Sequence, residues 1–231
     1  MLLYKLTDAT GQTHGGCQWG EGVTHTAPGG GALCTKAWIH AYTSPLLAVL
    51  LNPIHGRFTP EAMRLWECEG GIGATDHGLK VGCTSLTTIR EIPVPQVSCE
   101  QWVSFAILCA KEVCTDDGWT EWAGSWLDGD RSQVKSEWAA WTRASAWDAW
   151  AQAEADSAEW TETTSAWAEA ESETAAAWAQ AAAAALAEAE TAEQEAQVIQ
   201  AATKAVLSAV QAAKLQGKSI DLVALAYEIQ E

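Results

Sequence analysis

The chain has 231 residues, enough for one large domain or two smaller ones. With 48% hydrophobic and 19% charged residues, a wholly disordered chain is excluded. Thirteen basic against 30 acidic residues leave a net charge of −17, which opposes binding to phosphate backbones or anionic lipid, so neither nucleic acid nor a membrane is expected as a partner.

In chain order, residues 2–6 have strand composition. Residues 7–11 supply a turn before Gly15-Gly16 and the segment 19–25, a hairpin-like arrangement. After the loop Pro28-Gly29-Gly30-Gly31, residues 37–42 read as a strand. Residues 44–51 read as a short helix, with Ser44 as its cap and Pro45 at its first position. Residues 63–69 alternate in polarity, and 86–94 are rich in Thr, Ile and Val, so both read as strands. The glycines of 70–73 read as a flexible turn between them.

From Cys99 onward the periodicity changes. Val103, Ala106, Ile107, Ala110 and Cys114 fall on one helical face, and Trp119, Trp122 and Trp126 repeat that spacing. After a break at 127–132 comes an Ala, Trp and Glu tract in which 138–146 aligns with 147–155 at a period of nine residues. Trp160, Trp167 and Trp178 lie within ~20° of one another on a helical wheel and predict one stripe buried against another helix or a second subunit. Propensity predicts helix through 175–194. Small residues alternate with larger ones at 151–157 and 166–174, as in a narrow β-solenoid; helix is preferred because Ala and Glu are poor strand formers. Gly217 predicts a stop, and Ser219 a cap for a terminal helix over 220–227.

All six prolines and all five histidines precede residue 99, and residues 115–195 carry a net charge of −15 against −1 for residues 1–98. The expected architecture is therefore α+β. Residues 1–97 form a small mixed domain of short strands that binds a ligand, and 98–231 form a helical scaffold or homo-oligomerisation domain. No apolar run reaches the ~18 residues of a membrane span, and residues 1–6 are too short for a secretory signal. Seven cysteines at irregular spacing fit a reducing, cytoplasmic compartment.

Residues 3–8, Gln18-Trp19-Gly20-Glu21-Gly22-Val23-Thr24-His25, Leu33-Cys34, 39–42 and 45–53 resemble an uncharacterised family of bacterial and bacteriophage proteins. The resemblance continues through Leu65-Trp66-Glu67, Gly78-Leu79-Lys80-Val81-Gly82-Cys83 and 85–89 into Asp130-Arg131-Ser132. It implies an N-terminal domain with an appended Ala-rich repetitive tail and a phage origin, and it implies no activity. A more distant likeness is to ADP-ribosyltransferases, small α+β domains that pinch NAD between strands. It implies Lys5 or His25 on a first strand and His40 with Tyr42 near a second. Glu67, Glu69 or Glu91 on a later strand would stabilise the developing oxocarbenium charge.

Candidate chemistry concentrates before residue 99. His25, His40, His55 and His77 with Cys17, Cys34, Cys68 and Cys83 have zinc-ligand chemistry but lack close ligand pairs, so no metal is expected. Cys34 or Cys83 with His40 or His25 has the residue types of a nucleophile and its base, without a flanking motif. Neither Gly29-Gly30-Gly31 nor Gly70-Gly71-Ile72-Gly73 carries the Lys-Ser/Thr ending of a phosphate loop, and no cofactor is expected. Trp19, held between polar residues and glycines, has the form of a stacking platform and equally of a core residue. The resulting expectation is a non-enzymatic binding protein, an accessory or anti-defence protein on the phage resemblance. A small molecule or protein partner would bind near Trp19, His25, His40, Tyr42, Arg64 and Lys80. Two alternatives stand beside it: an NAD-handling enzyme, and an acidic decoy or nucleic-acid mimic that binds a basic protein surface.

Overall fold

The computed structural model describes residues 1–132 and 163–230. They divide into two compact units: Met1–Val97 with Asp221–Tyr227, and Ser98–Ile220 with the residues from Glu228 onward. The fold is α+β, with every strand among the described residues before residue 93 and the long helices after residue 98.

The first unit is built on a β-hairpin of two twelve-residue strands, β6 (Arg64–Thr75) and β7 (Val81–Ile92). Strand β1 (Leu2–Thr7) pairs with β6, while β4 (Thr24–Thr26) and β5 (Ile39–Ala41) pair with successive stretches of β7, all antiparallel. The short strands β2 (Gln12–Thr13) and β3 (Cys17–Gln18) form a separate hairpin around Gly15 and Gly16. An isolated bridge between Tyr4 and Tyr42 returns β5 to β1, so that β1, β6, β7 and β5 close on themselves. Leu3, Trp19, Ala41, Trp66, Cys68, Val81, Cys83 and Leu86 fill the enclosed space.

Glycines 70–73, expected as a turn, lie inside β6, whose register shifts between Gly70 and Ile72 and again between Ile72 and Ala74. The reason is steric. A Cβ on Gly73 would stand 2.6 Å from the Trp38 ring, and one on Gly70 would stand 2.9 Å from the Ser85 carbonyl oxygen. Glycine here admits close approach rather than a turn. Gly73→Ala should destabilise the first unit by about 1–3 kcal/mol through overpacking; a urea midpoint equal to that of the wild type would show that Trp38 moves freely.

Helix α1 (Pro45–Leu50) starts where Ser44 accepts N–H bonds from Leu46 and Leu47, and it buries Leu46, Leu47, Ala48, Val49 and Leu50. A further turn, α2 (Asn52–His55), follows. Asn52 locks the exit of that turn, donating from Nδ2 to the Phe58 carbonyl at 2.8 Å and accepting from the Phe58 N–H at 3.0 Å.

In the second unit α3 (Cys99–Lys111), capped by Ser98 and Gln101, packs against α5 (Thr163–Ala187) and α6 (Ala192–Leu215), which form an antiparallel pair. Helix α4 (Asp117–Leu127) buries Trp119, Trp122 and Trp126. The Trp119 indole donates to the Ala176 carbonyl at 3.1 Å.

Residues 166–174 are helical, the reading preferred over a solenoid coil. Two expectations for the tract need correction. The helix predicted through 175–194 breaks after Ala187, because Thr191 and Gln194 form a reciprocal cap that starts a new helix. Trp167 and Trp178 are only half-buried. The inner line of α5 is Ala168, Ser172, Ala175, Ala179 and Ala182, since small side chains let helices approach closely, and the indoles sit one position before Ala168 and Ala179 on its flank. Lys204 Nζ lies 4.1 Å from the centre of the Trp178 ring. Trp160 and the nine-residue repeat over 138–155 lie outside the described residues.

The terminal helix α7 (Leu222–Glu228) begins after Asp221, whose carboxylate accepts from the Ala224 N–H; the expected cap at Ser219 is therefore two residues early.

Candidate functional site

Inside the closed strands sits an amine. Side chains alternate along β1, so Leu3 and Lys5 share the inner face, opposite Cys68 and Trp66 of β6. Lys5 is 7% exposed. Its ammonium donates to the His40 carbonyl at 2.8 Å and lies 4.6 Å from the centre of the Trp19 ring. Burial pulls its pKa down to about 8, partly opposed by Cys68, Cys17 and Cys83. Lys5 in turn only partly offsets the burial that pushes the Cys68 thiol up to about 12.

A second cluster forms where β5 meets the start of β7. The turn between β6 and β7 closes through an Asp76 N–H bond to the Lys80 carbonyl at 3.0 Å, with His77 and Gly78 in left-handed backbone. This turn delivers Lys80, 6% exposed, beneath the loop that precedes β5. The Lys80 ammonium donates to Cys34 Sγ at 3.1 Å. His40 Nε2 donates to the Leu33 carbonyl at 2.6 Å and ties that loop to β5, which leaves Nδ1 as the lone-pair nitrogen. Burial lowers the His40 pKa, with Lys80 and Lys5 adding to the effect. His55 is held neutral more strongly: burial, then Lys80 and His40, bring it down to about 3. Its Nδ1 is buried without a partner among the described residues. The Tyr42 ring lies 6.1 Å from His55, and its hydroxyl is pushed up by burial.

No family model, curated protein or solved structure matches this chain.

Of the six residues expected at a ligand site, the structure places His40, Tyr42 and Lys80 around one end of β5. Trp19 and His25 are in edge contact at 4.5 Å and connect to that cluster through Lys5. Trp19 is 3% exposed and belongs to the core, so it cannot act as an exposed stacking platform. Tyr42 is likewise buried. Arg64 stands apart, forming a bidentate pair with Glu91 and stacking 4.6 Å over Trp66.

The glutamates named by the ADP-ribosyltransferase likeness do not converge with Lys5. Glu67 pairs with Arg90, Glu91 pairs with Arg64, and Glu69 is exposed. Glu67 and Glu69 alternate with Trp66 and Cys68 and so leave β6 on the face opposite Lys5. Among the described residues, no three His, Cys, Asp or Glu side chains come together as a metal site. His55 and Lys5, absent from the expected ligand set, are both strongly shifted by burial. The lysine's position in the alternation of β1 was the available signal.

Proposed function

We propose that the chain is a non-enzymatic binding protein whose first unit takes a small anionic ligand at Lys80, beside Cys34 and His40. One observation carries this reading: a lysine more than nine-tenths buried forms no ion pair with a carboxylate among the described residues, and its single acceptor is a thiol. A buried ammonium is costly unless an opposite charge or strong acceptors compensate it, and a carboxylate or phosphate from solution supplies that compensation. The near-neutral balance of residues 1–98 permits an anion to approach despite the acidity of residues 115–195. The helical unit, with its alanine-lined interfaces, serves as scaffold.

The reading is tested by thermal melts of the full chain in inorganic phosphate and in acetate, against chloride at equal ionic strength. The melting temperature of the first unit should rise with phosphate or acetate in the wild type and not in Lys80→Met, while Arg64→Met retains the response. Equal shifts in the wild type and Lys80→Met would refute it.

A further inference from the structure

The seven cysteines are all free, and they differ sharply in environment. Cys68, Cys83 and Cys109 are buried, Cys17, Cys99 and Cys114 are half-buried, and Cys34 is exposed. Burial raises the pKa of Cys68, Cys83, Cys99, Cys109 and Cys114, which disfavours their nucleophilic form. Cys34 alone combines exposure with a cation at hydrogen-bond distance. The Lys80 ammonium approaches it from the protein side at 3.1 Å, and two of its three N–H bonds have no acceptor among the described residues. The loop is held in place by the His40 bond to Leu33 and by the Gly29 N–H bond to the Ala37 carbonyl. A reagent can therefore reach the sulfur, and the buried Lys80 ammonium behind it presents positive charge to an anionic group that the reagent carries.

We propose that Cys34 is a site of reversible covalent modification, exchanging with a low-molecular-weight disulfide that carries an anionic group which Lys80 engages. In the exchange the Cys34 thiol gives its proton to water and its sulfur attacks one sulfur of the disulfide. The old S–S bond breaks, its electron pair leaves on the second sulfur, and that thiolate is released or takes up a proton. Cys34 is oxidised to a mixed disulfide and half of the reagent is reduced to a thiol, so no other oxidant is required. The charge preference rests on the anion-binding reading given above; the exposure and reactivity of Cys34 do not.

The test uses the native full chain with two symmetric disulfides of opposite charge, the dianionic dithiobis(nitrobenzoate) and the dicationic cystamine. Adducts are located by peptide mass mapping and rates are taken from intact mass. One fast adduct per chain is expected, on Cys34 and absent in Cys34→Ser. The anionic reagent should react about 10-fold faster relative to cystamine in the wild type than in Lys80→Met, the order of a single close charge interaction. Lys80→Arg, which keeps the charge, should retain the preference, and circular dichroism establishes that each variant is folded. A fast adduct that survives Cys34→Ser overturns the proposal, as does a charge preference that is the same in Lys80→Met and the wild type. If phosphate and acetate leave the melts unchanged while the preference still depends on Lys80, the binding reading fails and the modification site stands.

Discussion

Truncating Trp126 to alanine should lower the stability of the helical unit by about 3–5 kcal/mol, the usual loss for a fully buried aromatic. Trp126 is 1% exposed, on a helix whose other indoles, Trp119 and Trp122, are also buried. The Arg131 guanidinium lies 3.7 Å from the centre of its ring and donates to the Trp126 carbonyl. Removing the indole therefore opens a cavity and strips a cation of its aromatic partner. Trp126→Phe separates the contributions: it keeps most of the apolar contact and deletes an indole N–H that is buried without a partner among the described residues, so its cost should stay within ~1–2 kcal/mol. Trp167→Ala is the contrast, because a half-buried indole on the flank of α5 should cost less than ~2 kcal/mol. Urea denaturation followed by far-ultraviolet circular dichroism ranks the three. A Trp126→Ala variant within 1 kcal/mol of the wild type would mean that α4 is not part of the cooperative unit.

Lys5→Met should stabilise the first unit at neutral pH. The folded lysine has a pKa of about 8 against an ordinary value near 10.5, a difference worth about 3 kcal/mol at 1.36 kcal/mol per unit. Methionine fills similar space without the amine. The lost bond to the His40 carbonyl and the lost contact with Trp19 reduce the gain to about 1–3 kcal/mol. The pH dependence has a definite sign. Below pH 8 both folded and unfolded chains carry the proton, and the full penalty of burying the charge is present. Between pH 8 and 10.5 the unfolded chain binds more protons than the folded one, so this lysine's contribution to stability rises with pH. The advantage of Lys5→Met should thus be largest near pH 7 and shrink toward pH 10. A variant less stable than the wild type at pH 7, or an advantage that grows with pH, would show that the ammonium is compensated in a way the geometry does not display.

Much of the fold was legible before any coordinates. Ser44 with Pro45, the strand patterns at 63–69 and 86–94, and the change of period at Cys99 all act over a few residues, and the structure forms α1, β6, β7 and α3 there. The candidate site was legible only as a set of residue types. Cys34 and His40 were already candidates for a nucleophile and a base, and Lys80 for a ligand contact, but nothing local brings them together. Lys80 is 46 positions from Cys34, and they meet because the β6–β7 hairpin returns Lys80 to β5. Trp19 and Tyr42 misled for the opposite reason: amphipathic aromatic rings suit a ligand and a core alike, and only packing decides between them.

Local chemistry determined where helices cap, where strands alternate, and that the acidity belongs to residues 115–195, because those properties depend on neighbours within a turn or two. The tertiary structure alone decided that Lys5 faces inward, that Lys80 reaches a thiol rather than a carboxylate, and that alanines rather than tryptophans line the inner face of α5. Burial and partner choice are set by chain segments distant in sequence, and two side chains of the same type differ in energy by several kcal/mol according to which segments close over them.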